Sequence, residues 1–363
     1  MLVAQQPNSQ QAALVLDGQG GVVWPVAITV RNATTSSIAI SGGANRPFAL
    51  WASADGLVHA ASAATSGGIV DLSLSASPVE VFNGFSNPSA FNTGVTATWS
   101  IPVSIPSSVA VSSQHAFQAV VANPSAAAGW TLSGATQVSV TQGPITTPLS
   151  LGDDGVLPIS LPIGMAIPFF GVNHTVMYVC ANGFATLTWP DSDFTPSSQE
   201  FNYGAPRLAP FWTDLAQGSG TIQAVVDASP PSGIPTVRVE WINVPDFGGS
   251  GFTHTFAVEI DVQGLVTMSW PISNFASIYS TLIGIGPGLG LNFAPMKDLS
   301  ALVPSAPLGA VNESFHEWFG LASMPAYLPQ VNRPYDLAGA SLHFLPSGGG
   351  ATWTTVTSRY VMY

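Results

Sequence analysis

The sequence predicts an all-β protein: two antiparallel β-sandwich domains in tandem with little helix. Three observations carry this. Turn signals recur every eight to twelve residues or so, the spacing of short strands rather than of βαβ units. Apolar residues between the turns alternate at period two. The 36 Gly and 30 Pro interrupt almost every stretch long enough for a helix. At 363 residues the chain fits two domains, since a domain usually takes about 100–200 residues. It is long enough to bury a core without metal or disulfide, and its single cysteine, Cys180, rules out an intramolecular disulfide. Charged residues are only 7% of the chain, and 7 Lys+Arg against 19 Asp+Glu give a net charge of −12. Nucleic-acid binding is excluded, because phosphate contacts need clustered Lys and Arg and the only lysine is Lys297. The longest apolar runs, such as Val22–Val30 and Ala116–Ala122, fall short of the ~20 residues of a bilayer-crossing helix, so no membrane insertion is expected.

In chain order, Met1–Ala4 lacks the basic start and long apolar middle of a signal peptide and reads as the tail of one, ending before Gln5. Strands are expected at Val22–Val30, Phe48–Ala52, Ile69–Ser73, Ala116–Ala122 and Thr136–Thr141. Between them Val95, Ala97, Trp99, Ile101 and Val103 share one face of a half-buried strand. Gln142–Leu149, with two prolines and a glycine, marks a boundary near residue 145. Beyond it strands are expected at Met177–Cys180, Phe184–Trp189, Ile222–Val226, Val237–Trp241, Phe256–Ile260, Leu265–Trp270, Ser341–Phe344 and Thr352–Thr357. Asn182-Gly183 reads as a tight hairpin turn. Asn312–Leu321 is the best helix candidate, with Phe315/Phe319 and Glu313/Glu317 at helical spacing. The resulting organisation is an N-terminal extension over 1–20, a first sandwich over 21–145, and a second over 146–363 with an insertion at 291–332.

In the first domain, Pro47–Leu50, Val79–Gly84, Ala97–Pro102 and Ala116–Ala122 resemble small Ig-like or fibronectin-like sandwich modules of secreted bacterial (planctomycete-type) surface proteins. In the second, Ile167-Pro-Phe-Phe-Gly171 and Val176–Phe184 resemble the opening of a nidogen-type extracellular domain. Leu208-Ala-Pro-Phe-Trp-Thr-Asp-Leu215 resembles that family's Pro-aromatic-Trp-Asp signature. Val237–Val244, the Phe252–Trp270 hairpin around Gln263-Gly264, and Ile283-Gly-Ile-Gly286 follow in the family's order. The resemblance covers about residues 150 to 290, while residues 291–332 and the closing Pro334–Gly339 depart from it. It implies an extracellular structural or adhesive role without catalysis.

Catalytic and metal motifs are sparse. The six histidines, at 59, 115, 174, 254, 316 and 343, show no zinc spacing, and His254 and His343 fall on polar strand faces where a solvated histidine is expected. Cys180 sits mid-strand and reads as an inert buried thiol. Gly284–Gly290 lacks the Gly-x-Gly-x-x-Gly spacing of a phosphate cradle and reads as a loop. Glu259 and Asp261 share one strand face, a weak imitation of a glycosidase pair. Asp153, Asp154, Asp191 and Asp193 are the candidate calcium ligands, although two pairs of acids fall short of the six to eight oxygens that calcium takes, and Asx-turns explain them as well. No other cofactor is expected. Asn32, Asn173 and Asn312 are glycosylation sequons.

A surface so poor in ions packs cheaply against copies of itself, because few charges need desolvating. The expected function is therefore a non-catalytic subunit of an extracellular filament or surface layer. It would assemble head to tail by giving a terminal strand, Gln6–Leu16 or Thr352–Tyr363, to a neighbour's sheet edge. The expected contact residues are Gln6, Leu14, Leu16, Trp353, Val356 and Tyr360. The alternative is a monomeric adhesion or glycan-binding module, since exposed indoles among the 10 Trp can stack on sugar rings.

Overall fold

The computed structural model describes residues 12–21, 26–53, 58–65, 68–72, 78–249, 251–271, 277–290, 298–299, 307–308, 313–320, 337–347 and 352–359. The chain forms two compact units, Met1–Gly143 and Pro144–Tyr363.

The first unit holds strands β1 (Ala13–Leu16), β2 (Gln19–Gly21), β3 (Val26–Arg31), β4 (Thr34–Ser41), β5 (Phe48–Ala52), β6 (Val58–Thr65), β7 (Gly68–Leu72), β8 (Val79–Asn83), β9 (Thr98–Ile105), β10 (Gln114–Ala122), β11 (Trp130–Leu132) and β12 (Thr136–Thr141). Two sheets, ordered β2-β1-β4-β9 and β3-β12-β10-β5-β8, face each other. Every second residue of their strands points inward: Leu14 and Leu16, Ile28 and Val30, Ile38 and Ile40, Val138 and Val140 form one core. All pairings in these two sheets are antiparallel except β3 with β12, which is parallel. The segment expected to extend from the domain is thus partly built into it. Leu14 and Leu16 are buried in the chain's own core, because β1 pairs with β4 from Ala13↔Ser41 to Leu16↔Ile38. Val95 corrects a second expectation: it is exposed, and the strand starts only at Thr98 because Gly94 and Ala97 turn the chain with positive φ. Asn32 is buried, donating to the carbonyls of Ser107 (3.3 Å) and Val109 (3.1 Å) and accepting from Gly143 N (2.7 Å), so this sequon is a structural clamp.

The second unit holds β13 (Ile145–Leu149), β14 (Val156–Ser160), β15 (Ile167–Phe169), β16 (Val172–His174), β17 (Val176–Cys180), β18 (Phe184–Thr186), the short helix α1 (Ser198–Tyr203), β19 (Arg207–Trp212), β20 (Thr221–Asp227), β21 (Thr236–Pro245), β22 (Thr253–Asp261), β23 (Val266–Ser269), β24 (Thr281–Gly286), β25 (Pro307–Leu308), β26 (Phe315–Phe319), β27 (Ala340–Ser347) and β28 (Thr352–Arg359). An eight-stranded sheet, β13-β20-β21-β22-β23-β27-β28-β25, packs on a six-stranded one, β14-β17-β18-β19-β24-β26. Their inner faces supply Val237, Val239, Trp241, Val258 and Ile260 from one side and Met177, Val179, Leu208, Phe211 and Ile283 from the other. Two buried indoles tie the layers: Trp241 donates to Cys180 O (3.1 Å) and Trp270 to Pro210 O (2.9 Å). Buried indole N–H groups need such partners, so these bonds also fix the offset between the sheets.

The helix expected over 312–321 is instead the edge strand β26. Thr352–Arg359, expected as a donated strand, pairs with β27 of the same chain along its whole length. The side chains of Trp353 and Val356, and residues Gln6, Tyr360, Asn312 and Met1–Ala4, lie outside the described residues.

Candidate functional site

The outer face of the six-stranded sheet is covered by one connection, residues 187–206, which joins the neighbouring strands β18 and β19. A hairpin of this kind needs only about 2–5 loop residues, and connections longer than about 12–15 are usually functional. This strap is held down at several points. Arg207 is completely buried; its guanidinium lies 3.9 Å from the Trp212 ring centroid and 4.5 Å from that of Phe184, and its Nη2 is paired with Asp191 Oδ2. Trp212 Nε1 donates to Asp193 O (3.0 Å). Asx-turns follow, with Asp193 N donating to Asp191 Oδ1 (3.0 Å) and Thr195 N to Asp193 Oδ1 (2.7 Å). Ser197 caps α1 by accepting from Glu200 N (3.3 Å), and Trp318 Nε1 donates to Ser198 Oγ (2.8 Å). From the strap, Phe201 packs onto Cys180, Phe184, Ala209, Trp212, Leu282 and Trp318 beneath it. Gly286 and Gly288 let the backbone of α1's end approach, since a Cβ at Gly286 would stand 2.7 Å from Phe201 O and one at Gly288 would meet Gly204 O. The strap's outer side presents Trp189, Phe194 and Tyr203, with Leu289 beside it, each more than a third exposed.

Asp191 and Asp193 are therefore not a calcium pair. The guanidinium of Arg207 already occupies a cation's place at Asp191, and Oδ1 of each aspartate accepts the amide of an Asx-turn.

The other acids do converge. One carboxylate oxygen from each of Asp153, Asp154 and Asp214 lies within 4.8 Å of the others. Asn182, fully buried, fixes the cluster by donating to Asp154 Oδ1 (2.8 Å) while accepting from Leu215 N (3.0 Å). Burial, then Asp154, Asp153 and Asp246, push Asp214 up to about 6. A hard cation such as calcium would be held by these three acids and would relieve their repulsion. Asp214 thus faces other carboxylates. Its raised value means that the fold is favoured below the ordinary carboxylate range and loses that contribution as pH rises through about 6. Asp214→Asn is expected to stabilise the protein by about 1 kcal/mol at pH 8, discounted for solvent screening, and by nothing at pH 4. Thermal unfolding at the two pH values checks it.

The remaining candidates are structural. Cys180 is fully buried and its thiol is pushed up to about 12, chiefly by burial. Asp261 Oδ1 closes its hairpin by accepting from Gln263 N (2.8 Å) and Leu265 N (2.9 Å), while Glu259 stands opposite Arg238, so the two make no acid pair. His254 is buried, not solvated: its Nε2 is 2.7 Å from Asp246 Oδ1, which also accepts from Ser277 Oγ (2.8 Å). Asp246 stands between them, so the three residues lack the serine-to-histidine bond of a nucleophilic triad. His343 is half-buried, 3.0 Å from Thr267 Oγ1. Gly284 and Gly286 belong to β24, not to a loop.

In the first unit, an apolar slot of about 330 Å³ opens between the two sheets, lined by Leu16, Ile38, Leu50, Phe82, Ile105 and Val140 among others. Its rim is formed by Val81 of β8 and Val103 of β9, which are 42% and 38% exposed. Those two strands end their sheets, and no described strand pairs with their outer edges. Edge strands are usually blunted by charge or proline. Here the devices are Glu80, whose carboxylate accepts from Asn83 Nδ2 (2.8 Å), and Pro102.

Fold and site together define an all-β chain that is similar to a known family over part of its length: the family model described as "NIDO related" matches residues 125–291. A curated relative, alpha-tectorin of Mus musculus, is 41% identical over 68 residues, 18% of this chain. The match spans 3% of that relative's length.

Proposed function

We propose that this chain is a non-catalytic structural subunit of an extracellular or cell-surface assembly, a filament or layer, in which copies join through the open edge of the first unit. The carrying observation is the apolar slot between two unpaired edge strands. A strand laid along β8 or β9 would gain ladder hydrogen bonds and drop alternate side chains into the slot. The low share of charged residues, 7% of the chain, keeps desolvation low when identical surfaces meet. The NIDO-related match over 125–291 supports an extracellular structural or adhesive setting. Because β1 and β28 are paired at home, addition to an open edge fits the fold better than exchange of either terminal strand. Contacts between an edge and a different surface do not close on themselves, so they propagate. Sedimentation velocity of the full chain tests the proposal. Mass should grow with concentration, and a single 37.5 kDa species at every concentration would refute it.

A second reading has its own observation. Trp189, Phe194 and Tyr203 are exposed on one pinned connection, as a glycan-stacking surface requires. On a glycan array this reading expects binding that Trp189→Ala removes; binding by neither protein, or by both alike, counts against it.

A further inference from the structure

We infer that the first unit holds a binding site for a carboxylate-bearing sugar, such as a uronic or sialic acid, in a polar pocket over Arg46. The pocket has a volume of about 530 Å³, within the roughly 300–1,000 Å³ of small-molecule sites. It opens at one end of the sandwich, where the chain leaves β4 and β10. It is separate from the apolar slot and does not depend on the assembly joint. Ser41 pairs with Thr98 at the pocket, whereas Ser36 pairs with Val103 at the slot, five residues earlier along β4. At a strand's rise that is about 16 Å.

Arg46 is the one charged group among the described residues that line the pocket. No described acid forms an ion pair with it, in a chain where Asp+Glu outnumber Lys+Arg by 19 to 7. The turn that presents it is braced by Thr93, which is fully buried. Arg46 N donates to Thr93 Oγ1 (2.9 Å), Thr93 N donates to Arg46 O (2.9 Å), and Thr93 Oγ1 donates to Gly43 O (2.5 Å). The arginine stem lies along Gly43, where an added Cβ would stand 3.3 Å from Arg46 Cγ and 3.4 Å from its Nε. This turn is thus ordered before any ligand arrives, which lowers the cost of binding.

A guanidinium reads a carboxylate through two parallel N–H bonds. Ser41, Thr98 and Ser125 add hydroxyls to the same wall, and Asn123 adds an amide whose Oδ1 accepts from Ser125 N (3.1 Å). Hydroxyls both donate and accept, as sugar hydroxyls require of their partners. An apolar ligand would bury these groups unpaired, and a bare anion would engage the guanidinium alone. The chain's net charge of −12 opposes an anion at long range, but exposed charges beyond about 8 Å are largely screened at physiological salt.

The test is saturation-transfer difference NMR on the full chain, with sodium D-glucuronate and N-acetylneuraminate as probes and D-glucose and acetate as controls. At least one sugar acid should bind, and Arg46→Gln should weaken it at least about tenfold, the loss expected when a hydrogen bond to a charged group is removed. Glucose and acetate should each bind at least about tenfold more weakly than that acid. Arg46→Gln should melt with the parent protein, because the guanidinium is bonded to no described residue. Binding of neither acid, or equal binding by the parent and Arg46→Gln, overturns the site. Glucose bound as tightly as the acid would mean that the carboxylate is not read, and acetate bound as tightly would mean an adventitious anion contact only; either result overturns the assignment to a sugar acid.

Discussion

Replacing Gly183 by alanine is expected to destabilise the second unit by about 3–5 kcal/mol, summing left-handed strain with overpacking. Gly183 holds φ +78, and an added Cβ would collide with the carbonyl oxygen of Phe211. That oxygen has little freedom to retreat, because Phe211 N donates to Gly183 O (3.1 Å) and Thr213 N to Asn182 O (3.2 Å). The β17–β18 turn is therefore stitched to β19, whose Phe211 and Trp212 fill opposite faces of the same sheet. Calorimetry of the full chain should show the unfolding of this unit about 10 °C lower, at roughly 2–4 °C per kcal/mol. A shift under about 3 °C would show that the turn relaxes more easily than the crossing strand allows.

Arg207→Met is expected to cost about 3 kcal/mol, since removing one partner of a buried ion pair leaves the other uncompensated. Methionine preserves much of the packing on Phe184 and Trp212 but abandons Asp191, Asp193 and Glu200 to one another. Lysine at this position should recover only part of the loss, because it keeps the charge without the flat fork that stacks on two rings. Denaturant unfolding of the two variants checks the order; equal stability of Arg207→Met and the parent protein would mean that the strap is not anchored through this ion pair.

Much of the strand framework is legible in the amino-acid pattern where one sheet face is buried and the other is wet. Phe48–Ala52 and Thr136–Thr141 form strands with the expected limits, and Val237, Val239 and Trp241 point into the core as their alternation requires. Where both faces are covered, the alternation disappears. Phe315 and Phe319 face the inter-sheet core while Trp318 faces the strap-covered patch, so β26 is buried throughout and its aromatic spacing imitates a helix. The same double burial runs through β19 and β24. Thr34–Ser41 escapes notice for another reason: Ile38 and Ile40 are the only large apolar residues on its inward face, which otherwise carries Ser36, so the alternation spans only half the strand.

The site is less legible than the frame. Asp191 and Asp193 stand out as acids, but their cation is a residue 16 positions away in sequence, and nothing local announces that Arg207 is buried. Asp153 and Asp154 likewise acquire Asp214 only through folding. His254 looks solvated on the polar face of its strand until Asp246 and Ser277 close over it. One local signal does mark α1: Ser197 and Glu200 stand in the spacing of a helix-capping pair, ahead of Phe201.

The most direct measurement of the assembly claim is negative-stain electron microscopy of the full chain beside the Val81→Asp/Val103→Asp double variant, with circular dichroism to confirm that both fold. These two rim residues are already partly in water, so carboxylates there leave the core intact while charging the mouth of the slot. The expected result is extended polymers or sheets from the parent protein and separate particles from the variant. Isolated particles from both, or identical polymers from both, would contradict a joint made through the open edge of the first unit.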